Sequence, residues 1–372
     1  MKNYFITGAS GAIGSALVPL LLRQPDNQIT LLLRAPSDDD LAARLAALCQ
    51  FWQIEVTDKP TRERLRALRG DVTRPDFGLD AADYRRLCAE CTHIVHSAGN
   101  VRMNLPIEQA RRSSVDSARY ILALAHASAH LEKVELVSTV GVGGRTYRLV
   151  PEEWLTSPRQ FHNTYEQAKA DAEEIVRLEV EGGLPLTVHR PSMVVGDSVT
   201  GRIIHFQVFY HLCEFLSGRR TLGLSPQFGA ARLDIIPADY VAGAIAWSST
   251  TTVSSGRILH SCSGPALSLP LQPLRESVRQ SFAGAGRRLP PVIKLPTRWF
   301  TGLLNGVSLL MPAEARRAIK TLPVFLDYLA TEQTFANHRT QELLSTVGLT
   351  VPSPDEYLGR VLSYYLESLR QG

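Results

Sequence analysis

Short apolar stretches alternate with longer amphipathic stretches over about the first 200 residues. Short apolar runs bounded by glycine or charged residues predict buried strands, and apolar residues that recur every three to four positions predict helices. Strands that alternate with helices favour a parallel sheet with helices on both faces. The predicted strands are Tyr4–Ile6, Gln28–Leu33, a strand ending at Leu68–Val72, a strand beginning at His93, Val134–Ser138 and Leu186–His189.

The pattern changes after Gly201, where aromatic residues become frequent and no regular period is visible. Leu233–Pro237 is again short and apolar. It predicts a return to the sheet, followed by a helix over 238–247 and a strand over 257–261. We therefore expect an α/β fold: a doubly wound parallel sheet over residues 1–200, completed by 233–262. The rest of 201–372, mainly 201–232 and 263–372, is expected to form a smaller, mostly helical lobe.

Composition and charge narrow the classes of protein to which the chain can belong. Of its 372 residues, 44% are hydrophobic, and the formal net charge is +4. The basic residues come as scattered pairs, which is typical of a solvated surface and carries no nucleic-acid signature. A mildly basic rim also suits a phosphate-bearing substrate arm or an acidic carrier protein. The five cysteines form no disulfide or zinc pattern, so we expect no metal site.

Neither a targeting segment nor a membrane span is expected. The first predicted strand and the loop after it occupy the N-terminus, where a signal peptide would lie. The longest apolar run, Trp299–Met311, contains two glycines and an asparagine and is too short to cross a bilayer. The sequence therefore predicts a cytoplasmic protein.

Three glycines follow the first strand with the spacing G-x-x-G-x-x-G, at Gly8, Gly11 and Gly14. The first permits a tight turn, the second lets the backbone approach a pyrophosphate, and the third lets the helix pack close to the strand. The N-terminus of the following helix offers unpaired N–H groups to phosphates. The order of strand, loop and helix predicts a Rossmann-type dinucleotide site, although a tight turn alone could use the same glycines.

Arg34 ends the second predicted strand, where dinucleotide-binding folds place the residue that contacts the adenosine ribose. An acidic residue there binds the free hydroxyls of NAD, whereas an arginine fits the 2′-phosphate of NADP. Arg44, about one turn into the next helix, could reach the same phosphate. Asp38–Asp40 are better explained as residues that cap this helix. The sequence therefore predicts NADPH as the cofactor, with Asp71 near the adenine.

The segment Tyr165–Lys169 has the pattern Y-x-x-x-K within a helix predicted over 165–181. Residues four apart share one face of a helix, so the Lys169 ammonium is expected to lie beside the Tyr165 phenol and to lower its pKa. Thr139, at the end of a predicted strand, is placed to hold a substrate oxygen. Such a pattern is common on helix surfaces, but its order after a glycine loop and a strand-end threonine predicts a hydride-transfer site.

With these motifs the chain resembles the extended short-chain dehydrogenase/reductase superfamily and, more narrowly, its thioester reductase and fatty acyl-CoA reductase branch. The resemblance covers residues 7 to about 244. It depends on strings such as G-D-V-T-x-P-x-x-G-L at 70–79 and R-P-S-x-V-V-G-D-S-x-T-G at 190–201. It implies a catalytic trio of Thr139, Tyr165 and Lys169. It also implies an NADPH site formed by Thr7, Gly8, Ser10, Gly11, Ala12, Ile13, Arg34, Arg44, Asp71, Val72, Ala98, Gly99, Lys169 and Pro191.

The activity implied by the resemblance is the NADPH-dependent reduction of an acyl thioester to an aldehyde and, with a second hydride, to an alcohol. Since no adenylation or carrier domain is apparent in the sequence, the acyl group is expected to arrive on CoA or on a separate phosphopantetheinyl carrier protein. The chain departs from the family at Ser114, where an asparagine commonly steadies a proton-relay water. A serine can hold a water, but it lacks the carboxamide.

Two other functions stay open on the sequence alone. A reductase, epimerase or dehydratase of the same superfamily, acting on a sugar nucleotide or a small ketone, would share the trio and the cofactor site. An NADP-sensing or scaffold protein of this fold would bind the cofactor without turnover. The apolar run Trp299–Met311 is expected to be core; the alternative is that it forms, with aromatic residues of 206–215, a tunnel for a lipid-like acyl chain.

Overall fold

The computed structural model of the protein describes residues 1–54, 59–296, 300 and 332–371. The strands within them are β1 (Lys2–Thr7), β2 (Asn27–Leu33), β3 (Leu65–Arg69), β4 (His93–His96), β5 (Lys133–Val137), β6 (Leu149–Val150), β7 (Leu186–Pro191), β8 (Met193–Val195), β9 (Leu224–Pro226), β10 (Arg232–Leu233), β11 (Ile235–Pro237), β12 (Ile258–Ser261), β13 (Leu269–Pro270), β14 (Ile293–Leu295) and β15 (Thr334–Phe335).

The helices of the described residues flank these strands. They are α1 (Ala12–Leu22), α2 (Asp38–Trp52), α3 (Lys59–Arg64), α4 (Ala81–Glu90), α5 (Ile107–Arg111), α6 (Ser117–Ala127), α7 (Thr164–Glu181), α8 (Val208–Leu216), α9 (Ala238–Ser248), α10 (Gly264–Leu267), α11 (Leu271–Gly284), α12 (His338–Ser345) and α13 (Pro354–Gln371). None of these described helices combines the length and the apolar character that crossing a bilayer requires.

Seven strands form one parallel sheet in the order β12-β7-β5-β4-β1-β2-β3. Both neighbours of β1, which are β2 and β4, run parallel to it. The strand order reverses at this point, so the connections leave toward opposite faces and a crevice opens at the carboxyl ends of β1 and β4. The predicted Rossmann-type doubly wound sheet is confirmed.

Alternate residues of β1 enter two separate apolar cores, one on each face of the sheet. Tyr4 and Ile6 pack with α1 and α9, whereas Phe5 packs with α6 and α7. Side chains alternate between the faces of a strand, so a strand that is covered on both sides carries a continuous apolar run. This double burial is why the strand pattern was visible in the sequence.

A third core holds the C-terminal lobe together, where α8, α11 and α13 pack against one another. Phe300 is buried in this core, and its ring centroid lies 5.9 Å from that of Phe215. The rest of the apolar run Trp299–Met311 lies outside the described residues, so the suggested tunnel stays a prediction. Of its other proposed members, Phe209 and Tyr210 are fully buried in this core. The division into domains over 1–200 and 201–372 stays a prediction.

Leu233–Pro237 does not join the large sheet, contrary to the expectation from its apolar pattern. Instead β11 pairs with β8 in a separate parallel ladder, and β10 pairs with β13. The outer edge of β7 is occupied by β12, so β11 pairs with the strand that continues the chain beyond β7. Within 233–262, the segment that completes the sheet is therefore Ile258–Ser261.

β3 ends at Arg69, earlier than the end at Leu68–Val72 that the pattern predicted. Asp71 ends the strand, because its Oδ1 accepts hydrogen bonds from the backbone N–H and the hydroxyl of Thr73, at 2.9 and 2.8 Å. A Cβ at Gly70 would lie 2.6 Å from the carbonyl oxygen of Phe77. The G-D-V-T string thus builds a tight turn at the end of this strand.

Replacing Gly14 by alanine should destabilise the protein, because the new Cβ would lie 2.3 Å from the carbonyl oxygen of Gly8 and 2.8 Å from the Cα of Ala9. These are backbone atoms, so the glycine turn and α1 must move apart, at a cost of about 1–3 kcal/mol. Gly284→Ala is the matched control, because its Cβ would meet no neighbouring atom within 4 Å. Urea unfolding followed by circular dichroism measures both variants, and equal stabilities would contradict the prediction.

Candidate active site

A cavity of about 280 Å³ lies at the carboxyl ends of the central strands, between the sheet and the C-terminal lobe. One part of its wall is the glycine loop with the loop after β4, and a second part is the end of β5 with α7. The third part comes from the lobe. The predicted site residues that line the cavity are Gly11, Ala12, Ile13, Gly99, Thr139, Tyr165, Lys169 and Pro191.

The glycine loop forms one end of this cavity through close backbone contacts. Gly8 has a φ of +81°, and an added Cβ would lie 2.5 Å from the backbone nitrogen of Ala98. Gly11 is the N-cap residue of α1 and provides no side-chain cap, and none of the described first-turn residues of α1 is acidic. The first-turn N–H groups are therefore available to phosphate oxygens, which fits a bound dinucleotide.

The N-terminus of α7 sets the position of two members of the trio. Asn163 accepts the backbone N–H of Glu166 at 3.0 Å, so the helix begins at Thr164. Tyr165 consequently lies in the first turn, and Lys169 follows one turn later on the same face.

The end of β5 holds the trio together. Thr139 directly follows the strand. Its Oγ1 accepts the backbone N–H of Gly141 at 3.1 Å, and its hydroxyl lies close enough to the Tyr165 phenol to lower the pKa of that phenol. The Nζ of Lys169 donates to the carbonyl oxygen of Val137 at 2.9 Å. The predicted trio is thus assembled in the structure, with its three polar ends in one cavity.

Burial shifts the pKa values of the tyrosine and the lysine in opposite directions. Burial raises the pKa of Tyr165 to about 12, against the lowering effect of the nearby Thr139 hydroxyl. Burial lowers the pKa of Lys169 to about 8, against the raising effect of the Glu173 carboxylate. The expected net lowering of the Tyr165 pKa is therefore wrong for this structure, because loss of hydration outweighs it. Tyr165 is a protonated phenol at neutral pH, as a proton donor must be.

A buried ion pair joins α7 to β7. The carboxylate of Glu173 accepts two hydrogen bonds from Arg190, at 3.0 Å from Nε and 2.6 Å from Nη2. Arg190 Nη1 donates to Nε2 of His260 at 3.3 Å, and His260 Nδ1 donates to the carbonyl oxygen of Ala336 at 2.7 Å. Burial lowers the pKa of His260 to about 3, so the ring is neutral. The network connects α7 with the segment that brings Phe335 to the cavity.

Arg34 and Arg44, the predicted partners of a 2′-phosphate, are exposed and do not line the cavity. Arg34 directly follows β2, and Arg44 lies on α2. Arg69, which sequence reasoning missed, lies beside them at the end of β3. Its Nε forms a 2.9 Å ion pair with Asp38, and its Nη1 donates to the carbonyl oxygen of Pro36 at 3.2 Å. Arg69 therefore holds the loop that follows Arg34.

The remaining predicted cofactor residues also lie outside the cavity lining. Thr7 is buried, and its Oγ1 is hydrogen-bonded to Nδ1 of His96 at 2.8 Å, so it joins β1 to β4. Asp71 holds the turn after β3, as described above. Gly8 shapes the glycine turn. The other predicted cofactor residues that do not line the cavity are Ser10, Val72 and Ala98.

Ser114 lies buried in a π-helical turn, Arg112–Asp116, which directly precedes α6. Its carbonyl oxygen accepts a hydrogen bond from Ser117 Oγ at 3.2 Å. Ser117 Oγ also lies 3.3 Å from His96 Nε2. The turn is thus tied to β4, and Ser114 does not line the cavity.

Sequence reasoning missed the part of the wall that the C-terminal lobe provides. Ser192 and Asp234 stand within strings that carried the resemblance, and those strings were the available signal. No local pattern marks the other members, which come from segments far apart in the chain. They include Gln207, Val208, Leu212, Arg232, Gln333 and Phe335.

Residues 6–245 match the model of a protein family described as Male sterility protein. The Isonitrile lipopeptide synthase of Streptomyces coeruleorubidus is 32% identical over 200 residues, which are 53% of this chain and 13% of that protein. A linear gramicidin synthase of Brevibacillus parabrevis is 28% identical over 260 residues, 68% of this chain and 5% of that protein. The chain therefore spans only a small part of the length of either relative.

The fold is shared with a solved structure of a domain from a biosynthetic pathway. The terminal R domain from the myxalamid PKS-NRPS biosynthetic pathway aligns with a TM-score of 0.80 and 26% identity, and the alignment covers 100% of this chain and 91% of that domain. The likeness thus includes the C-terminal lobe as well as the sheet.

We expect the catalytic efficiency to fall as the pH rises through about 8. The Lys169 ammonium is present below its lowered pKa of about 8 and is lost above it, whereas Tyr165 stays protonated over this range. The measurement is kcat/KM against pH, which reports the free enzyme. Lys169→Met should lower the activity and remove this alkaline decline. A decline centred near the unperturbed lysine value of about 10.4 would contradict the assignment.

Proposed function

The chain belongs to the family described as Male sterility protein, within the extended short-chain dehydrogenases/reductases, and on this premise we propose that it reduces an acyl thioester with NADPH. The reductase domains of this superfamily are NAD(P)-dependent oxidoreductases. The observation that carries the proposal is that one cavity contains the glycine loop, the trio of Thr139, Tyr165 and Lys169, and a wall from the C-terminal lobe.

The residues at the two ends of the cavity fit the two reactants. The N-terminus of α1 would hold the pyrophosphate of the cofactor, and the small residue Gly99 leaves space beside Lys169, since even an added Cβ would lie 3.5 Å from Nζ. When bound, NADPH supplies the hydride that reduces the thioester carbonyl carbon. The lobe supplies the rest of the wall, against which the acyl group would lie.

Thr139 and Tyr165 act on the carbonyl oxygen of the substrate. Both residues line the same cavity, and the Thr139 hydroxyl is near enough to lower the pKa of the Tyr165 phenol, so one oxygen placed beside them can contact both. Hydrogen bonds to that oxygen stabilise the negative charge that develops on it during reduction. Tyr165 then donates its proton, which leaves a hemithioacetal, and cleavage of its C–S bond gives an aldehyde and a thiol.

The choice of a thioester is supported by the relatives. Two relatives are named as synthases, of an isonitrile lipopeptide and of linear gramicidin, and the R domain comes from a PKS-NRPS biosynthetic pathway. Because the chain spans so little of the two synthases, the carrier that presents the acyl group is itself part of the proposal: a phosphopantetheinyl carrier protein, with CoA as the alternative.

A substrate panel tests the proposal. Acyl groups on a carrier protein, on pantetheine and on CoA are compared with sugar nucleotides and small ketones, while NADPH oxidation and thiol release are followed. One thiol per NADPH indicates an aldehyde product, and one thiol per two NADPH indicates an alcohol. Turnover of a sugar nucleotide or ketone alone would favour the alternative reductase, and binding without any turnover would favour a sensor.

Tyr165→Phe should reduce thioester turnover by roughly 10²-fold or more, because it removes the general acid. The affinity for NADPH should stay nearly unchanged, since the phenol is not needed to hold the phosphates. Stopped-flow hydride transfer and a fluorescence titration of NADPH separate the two effects. Near-normal turnover of the variant would show that Tyr165 is not the proton donor.

Arg34→Ala should weaken NADPH binding by about tenfold or more and leave NADH binding nearly unchanged, since a hydrogen bond to a charged group contributes about 1.5–3 kcal/mol. The matched control is Arg23→Ala, which removes an exposed arginine at the opposite end of α1 from the glycine loop. Equal losses for the two cofactors would remove the assignment of Arg34 to the 2′-phosphate.

A further inference from the structure

Arg232 provides a fixed guanidinium in the lobe wall of the cavity. Its Nε donates to the hydroxyl of Ser268 at 2.8 Å, and its Nη2 donates to the carbonyl oxygen of the same residue. Both contacts orient the guanidinium from one side, because β10 and β13 pair at this point. A side chain held in this way loses little further freedom when a ligand binds.

This guanidinium has no carboxylate partner within 4.0 Å among residues 1–54, 59–296, 300 and 332–371. Asp234, two residues along the chain, does not neutralise it. The Asp234 carboxylate is bound elsewhere, because its two oxygens accept the backbone N–H groups of Ser263 and Gly264, each at 2.8 Å. A partly buried guanidinium with unpaired N–H groups is stabilised when a ligand places an oxygen acceptor beside it.

Other polar side chains with an unused hydrogen-bond donor or acceptor also line the cavity that contains Arg232. Gln207 is the N-cap residue of α8 but forms no side-chain cap. Gln333 uses its Nε2 for the carbonyl oxygens of Gly144 and Tyr147, so its Oε1 is left to accept. Ser138 is only 3% exposed, and its Oγ has no hydrogen-bond partner in the described structure. A purely alkyl acyl chain would leave all of these groups unsatisfied.

We infer that the acyl half of the cavity recognises an acyl group that carries an amide, as in an aminoacyl or peptidyl thioester, and that Arg232 determines this specificity. The amide carbonyl accepts from the Arg232 guanidinium, and the amide N–H donates to a side-chain amide oxygen of the wall. The inference rests on the proposed thioester reduction and names its substrate class.

The experiment compares two pantetheine thioesters of equal chain length, an N-acylaminoacyl one and a plain alkanoyl one, on the full chain. The N-acylaminoacyl thioester should have the higher kcat/KM. Arg232→Met, which keeps much of the side-chain volume, should lower kcat/KM for it by about tenfold or more, as expected for loss of a charged hydrogen bond. The kcat/KM for the alkanoyl thioester should change little.

The matched control is Arg279→Met. Arg279 is likewise held by backbone carbonyl oxygens, those of Ser217 and Pro290, but it does not line the cavity. The Arg279→Met substitution should leave the ratio of the kcat/KM values for the two thioesters unchanged. Thermal unfolding of both variants identifies any general loss of structure, and Arg232→Lys should restore part of the preference because it keeps the charge.

The outcomes separate this inference from the proposed function. If neither thioester releases thiol, thioester reduction itself fails. If both are reduced with equal efficiency, or if Arg232→Met lowers both by the same factor, the specificity assigned to Arg232 is wrong while thioester reduction stands. A third substrate with a terminal carboxylate in place of the amide tests the chemistry. If the kcat/KM for this carboxylate substrate depends on Arg232 most strongly, the guanidinium binds an anion and the proposed recognition of an amide is wrong.

Discussion

The position of α7 depends on the buried ion pair between Glu173 and Arg190, which are 4% and 0% exposed. Moving two charges out of water is unfavourable, and here the cost is offset because Nη1 of Arg190 also has acceptors in two backbone carbonyls and His260. Loss of either partner would leave a buried charge, at about 3–5 kcal/mol. Because Tyr165 and Lys169 lie on the same helix, the geometry of the site depends on a contact that touches no reactant.

The parts of the molecule that the sequence predicted well are those governed by local spacing. The glycine loop, the N-cap of α7 and the four-residue separation of Tyr165 and Lys169 each involve only a few consecutive residues. The periodicities of strand and helix are equally local, so the sheet and its two covered faces could be anticipated. Asp197 in the R-P-S string is also local, because its carboxylate accepts the backbone N–H groups of Val199 and Thr200 within one turn.

The rest depended on contacts between distant segments, which no local pattern reports. β11 was assigned to the large sheet because its apolar pattern cannot show that β12 already occupies the edge of β7. Arg232 and Gln333 reach the cavity from segments about a hundred residues apart, so their role as wall residues is a property of the packed lobe. The pKa of Tyr165 was misjudged for the same reason, since burial outweighs the effect of a helical neighbour.

The hydrogen bonds of Gln333 also bear on the order in which the protein becomes functional during synthesis. Its partners Gly144 and Tyr147 lie 189 and 186 residues earlier in the chain, and such long-range contacts form late. At about 5–20 residues per second, translation delivers Gln333 on the order of ten to thirty seconds after Lys169. A nascent chain therefore presents the glycine loop and the trio well before the last wall of the cavity exists. The wall that we propose to recognise the acyl group therefore forms after the rest of the cavity.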